Sequence, residues 1–513
     1  MKRRPFLKRM AGAGILLPAM LGVPSLRAHA RQIPGSPFNR LATESDRVFV
    51  IIRLFGGNDG LNTLVPFDND LYYQARGSGT RFDVSIPKEQ TLRIPDSDTL
   101  SFHPSLGAFR QLYGEGKLSI VQNVGYPGQS LSHFRSTDIW LSGSDAGEFT
   151  RSGWYARHLE RKYSDYPAIL PTDPFAIEMD SYLGTALAGT TCDMGIAFSD
   201  PSFVPGSPAG GTGPETNAGI EEDYVRETIR QSNTFLTAVT RAQSSQPRNL
   251  AAYPDTLLGS NLSAVARMIA GGLSTQLYIV NVDGFDTHEQ QLPRQAGLLD
   301  YLSTAMLAFQ RDLEAMEIDG RVCAMTISEM GRRVESNGTG TDHGAAAPLF
   351  VMGSAVNGGI IGHDPDLGNL DDNGNLIMEF DFRRVYASVL GGWFGEKDDD
   401  IAAGALPGRF GQLPIFRTGR FIAPDPDTNA GIHIGEIRPN PVTTIGVIPI
   451  RGGNGYDGVM TLHTIDGRQV RSRTIPSGAS AVTIDVAGLP SGTYIYTIIF
   501  GPERASGRMI VQG

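Results

Sequence analysis

Short apolar runs alternate with amphipathic stretches from residue 47 onward, and this alternation limits the folds open to the chain more than any other feature. Five of the runs have the length and composition of buried strands: Arg47–Phe55, Leu118–Val124, Gln276–Val282, Val322–Ser328 and Leu349–Met352. Arg294–Met316 repeats apolar residues at helical spacing, and Phe382–Phe394 has the pattern of a further helix that ends at Gly395. Strands that alternate with helices predict an α/β fold with a mainly parallel sheet covered on both faces.

The pattern changes beyond Arg438, where short β-type runs are separated by glycine-containing turns. These runs are Gly458–Thr464, Ala481–Val486 and Thr493–Phe500. They predict a small all-β sandwich over residues 438–513, joined to an α/β domain over residues 47–422 by a linker over residues 423–437. Residues 201–217, rich in proline and glycine, predict a long surface loop within the α/β domain.

The first thirty residues have the three zones of an export signal. A start rich in lysine and arginine precedes the apolar stretch Met10–Val23, which is too short to span a bilayer, and Ala28-His29-Ala30 offers a cleavage site. Arg3-Arg4-Pro5-Phe6-Leu7-Lys8 resembles the twin-arginine (Tat) motif, and an ordinary Sec signal with adjacent arginines is the alternative. We expect a signal peptide over residues 1–30, a polar linker over residues 31–46, and no transmembrane segment in the mature chain.

The charge and the cysteines of the chain limit its partners and its covalent links. Lysine and arginine total 44 against 54 aspartates and glutamates, a net charge of −10, and no basic run follows the signal. Nucleic-acid binding is not expected, because neutralising phosphates requires a basic face. The two cysteines, Cys192 and Cys323, are able to pair in an oxidising compartment, although the apolar run around Cys323 favours a buried free thiol.

Two polar segments near the predicted strands admit both a structural and a chemical interpretation. Asp59 lies in the glycine-rich turn after the first apolar run, where the turn is either purely structural or holds the carboxylate at the rim of the sheet. Ser130–Ser136 leads into a helical stretch. A serine at the start of that helix either caps it or acts as a nucleophile at the positive end of the helix dipole.

Two further segments pair a carboxylate with an imidazole. Asp286 and His288 follow the third apolar run and are able to reach one metal ion from a single loop. Asp342 and His343 lie just before the fifth run. Ligands collect at the carboxyl ends of the strands in such sheets, so converging carboxylates and histidines suit a two-cation site for ester hydrolysis.

Glu329 ends the fourth apolar run, where an unpaired carboxylate would be costly to bury. A metal ion satisfies it, or one of the two arginines that follow pairs with it. Arg332 or Arg333 is alternatively able to bind an anionic substrate.

Three motifs in the C-terminal module carry a resemblance to a sorting signal. They are Arg438-Pro439-Asn440-Pro441, Asp466–Val470 and Leu489–Tyr494. Together they resemble the C-terminal sorting domain of the type IX secretion system, with a generic immunoglobulin-like binding module as the alternative. This resemblance implies passage through the type IX export machinery, and the twin-arginine motif implies the Tat machinery, so we expect periplasmic transit and then a cell-surface or extracellular location.

Seven motifs in order carry a second resemblance, from about Val48 to Phe394. They read GGNDGLNTLVPF, FHPSL, GYPGQSLSHFRSTDIW, FDTHEQQ, SEMGRR, GTDHGAAAPLFVMG and DFRRVYASVL. They resemble the domain-of-unknown-function family fifteen-oh-one, which is related to the alkaline phosphatases and sulfatases. The resemblance implies an alkaline-phosphatase-like three-layer α/β/α fold. Neither cysteine lies in the Cys-x-Pro-x-Arg motif, so a modified-cysteine sulfatase is disfavoured.

The same resemblance implies a divalent metal (zinc, manganese or calcium) and a nucleophile. Ser132, ahead of Ser130, takes the place of the nucleophile, and Arg135 or Arg332 would steady the anion. The residues implied as metal ligands are Asp59, Asp286, His288, Glu329, Asp342 and His343.

The leading functional hypothesis is therefore a secreted, metal-dependent hydrolase that acts on phosphate or sulfate esters of small molecules or polymers. A non-catalytic surface binding protein on the same fold is the alternative, because Met330 follows Glu329 where the superfamily usually has a histidine. A third hypothesis is a carbohydrate- or polymer-binding surface factor that uses the 201–217 loop.

Overall fold

A computed structural model describes most of the chain. The described residues are 46–199, 234–417, 433–434, 437–451, 458–464, 469–476, 479, 481–500 and 503–512. The expected signal peptide, the 201–217 loop and most of the 423–437 linker lie outside these residues.

The α/β part contains fourteen described strands and a set of helices that alternate with them. The strands are β1 (Val48–Leu54), β2 (Leu64–Val65), β3 (Leu92–Arg93), β4 (Ser101–Phe102), β5 (Leu118–Gly125), β6 (Ala176–Met179), β7 (Ile196–Ala197), β8 (Leu277–Val282), β9 (Val322–Ser328), β10 (Gly331–Ser336), β11 (Thr341–Gly344), β12 (Ala347–Met352), β13 (Gly359–Ile361) and β14 (Phe380–Asp381).

The α-helices of this part are α1 (Gly60–Thr63), α2 (Asp70–Ala75), α3 (Gly107–Gly114), α4 (His133–Ser142), α5 (Trp154–Lys162), α6 (residues 234–245), α7 (Leu257–Ala270), α8 (Gln291–Ala315), α9 (Phe382–Ala387) and α10 (Asp398–Asp400). Short 3-10 helices span Lys88–Gln90, Thr185–Leu187 and Asp319–Arg321, and π-helical turns span Ser388–Trp393 and Ile401–Ala405.

A nine-stranded sheet forms the centre of this part. Its order is β13-β5-β12-β9-β1-β8-β6-β7, with β14 also paired to β5. Among the described strands of this sheet, only β12 runs antiparallel to its neighbours, and β1 pairs in parallel with both β8 and β9. The prediction of a mainly parallel sheet is confirmed.

Helices cover both faces of the sheet. Alternate side chains of β1, from Val48 to Leu54, belong to a buried core shared with α3, α7 and α8. The intervening side chain of Phe49 points to the other face, where its ring packs edge-on against Phe416, which in turn packs against Trp393. The predicted three-layer α/β/α arrangement is confirmed.

The five apolar runs all form strands of this sheet, with ends that differ by at most two residues from the sequence prediction. The predicted helix Arg294–Met316 begins three residues earlier, at Gln291. Phe382–Phe394 is helical but changes from α-helix to a π-helical turn at Ser388. Gly395, in the left-handed region at φ +80°, follows it as predicted.

The described residues of the C-terminal part form β-strands in two sheets. Its strands are β15 (His433–Ile434), β16 (Ile445–Arg451), β17 (Gly458–Thr464), β18 (Gln469–Ile475), β19 (Ala481–Asp485), β20 (Gly492–Phe500) and β21 (Glu503–Val511). The sheet orders are β15-β16-β19 and β18-β17-β20-β21. Both sheets contribute to one apolar core that includes Ile448, Ile484, Leu462 and Ile498, so the predicted sandwich is confirmed.

The chain divides into two compact units. One holds the described residues from 46 to 407 and 413–417, and the other holds residues 408–412 and the described residues from 433 onward. Within the described residues, no helix has the length and apolar character needed to cross a membrane. Cys323 is buried and Cys192 is half-buried, and both are free thiols.

Candidate metal centre

Four segments meet at the carboxyl edge of the sheet and bring three histidines together. The first loop joins β5 to α4 and ends at His133, and the second follows β8 and carries Asp286 and His288. Glu329 directly follows β9, and His343 lies on β11 of the hairpin β10–β11. The edge is where parallel sheets of this kind hold ligands.

Gly56 allows these loops to approach one another closely. It follows β1 with φ +120°, and a Cβ at this position would lie 2.2 Å from the backbone nitrogen of Asp286. Its backbone N–H donates to Glu329 Oε1 at 2.8 Å. A side chain at residue 56 would therefore separate the loop that carries Asp286 from the end of β1.

His133 is oriented by Glu329. Its Nδ1 lies 2.8 Å from Glu329 Oε1, and because an ionised carboxylate only accepts, the imidazole donates from Nδ1. Glu329 is buried, and its hydrogen bond and charge raise the pKa of His133 above the ordinary value. The other ring nitrogen, Nε2, is buried and makes no hydrogen bond; it lies 3.5 Å from Asp286 Oδ2.

A backbone carbonyl orients the imidazole of His343 in the same way. Its Nδ1 lies 2.8 Å from the carbonyl oxygen of Leu131, which only accepts, so Nε2 carries the lone pair of the neutral ring. Burial lowers the pKa of His343 and favours that neutral form. Nε2 lies 3.3 Å from Asp286 Oδ1.

His288 repeats the arrangement with a second carboxylate. Its Nδ1 lies 3.1 Å from Asp342 Oδ1, and its Nε2 lies 3.1 Å from Asp286 Oδ1. Asn337 also donates to Asp342 at 2.8 Å, and this hydrogen bond is the main reason that the pKa of Asp342 is lowered. The Nε2 atoms of His288 and His343 are only 2.9 Å apart, so at most one of them carries a proton.

Asp286 lies between the three imidazoles and is held by Arg332. Burial alone would raise the pKa of Asp286, but the hydrogen bond and charge of Arg332 outweigh it and lower the pKa. Arg332 is buried, and its guanidinium lies 2.5 Å from Asp286 Oδ1. It also donates to the carbonyl oxygens of Gly57 and Thr341, each at 2.9 Å. Arg332 therefore ties together the loop that follows β1, the loop that follows β8 and the hairpin β10–β11, and it makes five hydrogen bonds within the protein.

The arrangement fits a bound cation. Each of the three histidines donates from Nδ1 to an outer acceptor and directs Nε2 inward, which is how metal-binding histidines are oriented in proteins. Ligand atoms of His133, Asp286 and His343 lie within 4.8 Å of one another, and His288 Nε2 contacts two of these residues. Inward lone pairs beside an ionised carboxylate need a cation or extra protons to be stable. Three imidazoles and a carboxylate suit zinc or another first-row divalent ion.

Asp59 lies elsewhere, in a buried ion pair. Its side chain and that of Arg76 are fully buried, with Oδ1 2.9 Å from the guanidinium and a second, shorter contact through Oδ2. Oδ1 also caps α1 by accepting from the backbone N–H groups of Leu61 and Asn62, and Gln291 donates to Oδ2. The carboxylate is surrounded by protein donors, so the site defined above does not include Asp59.

Glu329 and Asp342 lie behind the histidines rather than beside them. Each accepts from an Nδ1 atom, and Glu329 Oε2 is buried without a hydrogen bond. Of the six residues implied as ligands, the structure brings Asp286, His288 and His343 together at the centre. It places Glu329 and Asp342 in supporting contact and Asp59 apart.

Ser132 and Arg135 differ in their relation to the centre. Ser132 is exposed, forms no side-chain capping bond at the start of the ten-residue helix α4, and is flanked in the chain by Leu131 and His133, which both contact the site. Arg135 turns away: its guanidinium donates to the carbonyl oxygen of Ala146 at 2.9 Å and stacks over Phe149.

His133 is the residue of the centre that the sequence analysis did not single out. It lies in the segment Ser130–Ser136, which drew attention to its serines instead. The available signal was a histidine at the first position of a helix after a predicted strand, in the same sequence context as the candidate nucleophile.

The fold and the site together define an α/β protein with a cluster of three histidines and one aspartate at the carboxyl edge of its central sheet. Residues 237–403 match a family model described as a protein of unknown function (DUF1501), and residues 436–512 match the secretion system C-terminal sorting domain. Both resemblances are confirmed, and the sorting domain marks the chain for export to the cell surface or the extracellular space. The Tat signal stays a prediction. No curated protein matches the chain.

Similar solved structures include a protein of the alkaline phosphatase superfamily from Vibrio parahaemolyticus, which is 8% identical over 86% of this chain and 79% of its own, with a TM-score of 0.31. The lipoteichoic acid synthase LtaP from Listeria monocytogenes is 9% identical over 84% and 88%, with a TM-score of 0.30. An immunoglobulin-like β-sandwich protein from Bacteroides vulgatus is 17% identical over 16% of this chain and 99% of its own, with a TM-score of 0.13.

Proposed function

We propose that the protein is an exported, metal-dependent hydrolase of phosphate or sulfate esters. The observation that carries the proposal is the orientation of His133, His288 and His343. Each has its Nδ1 atom held by an acceptor outside the centre, and each directs Nε2 toward Asp286. A cluster that only stabilised the fold would have no need to direct three Nε2 atoms at one carboxylate.

The residues that would hold the cation are His133, Asp286, His288 and His343. A bound divalent cation supplies Lewis acidity, which polarises an ester oxygen and favours the deprotonated form of a hydroxyl or water. Arg332 keeps the carboxylate of Asp286 ionised and in place, and Glu329 and Asp342 fix the ring orientation of the histidines they contact. These supporting contacts reduce the reorganisation needed when substrate binds.

Ser132 is the proposed nucleophile. Its hydroxyl is exposed at the N-terminus of α4, where the helix dipole and free backbone N–H groups favour a developing negative charge. Attack by Ser132 Oγ on phosphorus or sulfur forms a bond to the serine oxygen and releases the alcohol, and water then hydrolyses the serine ester.

The test is ester hydrolysis by purified mature protein across phosphate and sulfate esters, before and after Ser132→Ala. We expect Ser132→Ala to reduce kcat by about a thousandfold or more while the metal content is unchanged. Ser130→Ala is the matched control, because Ser130 accepts from the backbone N–H of Ser132 at 3.3 Å in the same loop. Equal activity of Ser132→Ala and the wild type would remove Ser132 from the mechanism.

The burial of Asp59 favours a second function, a non-catalytic surface binding protein. Because Asp59 pairs with Arg76, the centre has one carboxylate among its inward ligand atoms. The two-cation site expected from the sequence would have more than one. Absence of hydrolysis across the ester panel in a protein that retains a stoichiometric cation would favour this function over the hydrolase.

A further inference from the structure

Arg53 differs from the other buried arginines in the described part of the chain. Four arginines are buried there: Arg53, Arg76, Arg332 and Arg383. Arg76 pairs with Asp59, Arg332 with Asp286 and backbone carbonyls, and Arg383 with Asp381 and Asp145.

No hydrogen bond or ion pair satisfies the guanidinium of Arg53 within the described residues. Arg53 is 9% exposed, and its Nε atom is buried without a partner. A guanidinium carries five N–H donors and stays charged at any ordinary pH, so leaving it buried and unpaired is costly. The cost is removed when an anion binds there.

Arg53 lies beside the metal centre, on the face of the sheet that carries Phe55. Its guanidinium carbon is 5.5 Å from the centroid of the Phe55 ring, and that ring is 5.5 Å from the imidazole of His133. Phe55 is half-buried and separates the arginine from the histidine while contacting both. Arg53 is thus one aromatic ring away from His133.

The carboxylate of Glu178 is affected by the charge of Arg53 but does not pair with it. Glu178 is buried on β6, and its oxygens accept from the backbone N–H of Gly184 at 2.6 Å and from Asn281 Nδ2 at 3.1 Å. Burial raises the pKa of Glu178, and Arg53 opposes that rise only through its charge, without an ion pair. Glu178 is therefore occupied by other donors.

Asn281 offers a second free atom in the same place. Asn281 and Arg53 are register partners on the adjacent parallel strands β8 and β1, so their side chains leave the same face of the sheet. Nδ2 of Asn281 donates to Asp180 at 2.6 Å, while its Oδ1 is buried without a partner. An unpaired donor group and an unpaired acceptor thus extend from the same face of adjacent strands.

We infer that Arg53 is an anion-recognition residue, which binds a phosphate, sulfate or carboxylate group of the substrate next to the metal centre, with Asn281 Oδ1 available to a neighbouring hydroxyl. This inference rests on the proposed function for the identity of the reacting group. It adds that the ester carries an anionic group at the side of the centre lined by Phe55, so uncharged parent groups are poor substrates.

The test measures binding of sulfate and of inorganic phosphate to chelator-treated full-length mature protein by calorimetry, for the wild type, Arg53→Gln and Arg53→Lys. We expect Arg53→Gln to weaken binding at least about tenfold, because it removes several charged hydrogen bonds. Arg53→Lys keeps the charge but not the planar fork, so its affinity falls between the two. Arg93→Gln is the control, since Arg93 is exposed and also stacks on a phenylalanine, Phe67.

The metal content of each variant, measured before the chelator treatment, separates this inference from the proposed function. Anion binding that depends on Arg53 in a protein that binds no cation supports the inference and contradicts the metal-dependent hydrolase. The inference is overturned if the wild type binds no anion at millimolar concentration, or if well-folded Arg53→Gln binds it equally well. Either result counts even if the cation is present, and it would mean that water alone solvates the guanidinium.

Discussion

Glu329 Oε1 lies 2.8 Å from Nδ1 of His133 and links the end of β9 to the first residue of α4. The same oxygen accepts from the backbone N–H of Gly56, so one buried carboxylate connects the loops that follow β1, β5 and β9. The consequence is that His133 Nε2 is directed at Asp286 before any ligand binds. Pre-orientation of this kind is what outer carboxylates contribute to histidine metal sites.

Replacing Glu329 tests this relationship. Glu329→Gln keeps the shape and a hydrogen-bond acceptor but removes the charge that favours the Nδ1–H form of His133. We expect the affinity for zinc, measured by competition with a chelator, to fall by about tenfold to a hundredfold. Glu379→Gln is the matched control, because Glu379 contacts Nδ1 of the exposed His363 at the same distance, 2.8 Å. An unchanged zinc affinity in Glu329→Gln would show that the carboxylate does not support the centre.

Asp59 is expected to act on stability rather than on metal binding. Asp59→Asn leaves the fully buried guanidinium of Arg76 without its counter-charge, and breaking a buried pair costs about 3–5 kcal/mol. The free energy of unfolding in urea measures this loss, while the metal content of the folded protein stays at the wild-type value. Asp400→Asn, in the exposed pair with Arg161, should cost less than about 1 kcal/mol. Loss of the cation from stable, folded Asp59→Asn would show instead that Asp59 belongs to the metal site.

His103 predicts a pH dependence of stability that is separate from the centre. Burial lowers the pKa of His103 from 6.5 to about 4, and its Nδ1 accepts from the backbone N–H of Ser105 at 3.0 Å. Because the folded state binds the proton more weakly than the unfolded state, this stability is present above pH 6.5 and is lost as the pH falls toward 4. The loss is at most about 3 kcal/mol.

Unfolding measured between pH 7 and pH 4 checks this dependence. His103→Asn keeps an acceptor for Ser105 and should reduce the slope of stability against pH by up to about one proton. His363→Asn, at an exposed histidine that contacts Glu379, serves as the control substitution. A slope that is identical in wild type and His103→Asn would mean that His103 titrates alike in both states.

Arg332 should act through the position of Asp286. Arg332→Lys keeps a positive charge but cannot reach the carbonyl oxygens of Gly57 and Thr341 and the carboxylate of Asp286 at once. We expect a lower melting temperature together with weaker metal binding. Thermal unfolding measured with and without added zinc tests both effects. A variant that lost ester hydrolysis while keeping wild-type stability and zinc affinity would instead assign Arg332 to the substrate.

The sequence predicts the framework well because its signals are local. The run Val322–Ser328 forms a strand with the predicted bounds, because its apolar residues end just before the charged Glu329. The C-terminal sandwich follows equally from alternating short runs and turns. Such periodicity depends on neighbours in the chain and needs no knowledge of the tertiary contacts.

The roles of the polar residues depend on contacts that the sequence does not contain. Asp59 and Asp286 both follow apolar strands, but the fold places Arg76 against Asp59 and three imidazoles around Asp286. The role of His133 could not be predicted for the same reason, because its partner Glu329 is 196 positions away in the chain. Whether a carboxylate binds a cation or an arginine is decided by which side chain the fold brings to it.

Metal analysis of the mature protein, produced with its export route intact, tests the central claim most directly. Mass spectrometry of the elements should find about one divalent cation per chain in the wild type and in His363→Ala, and none in the double variant His133→Ala/His343→Ala. A wild-type protein that is folded and carries no cation, or a double variant that carries as much as the wild type, would contradict the metal centre.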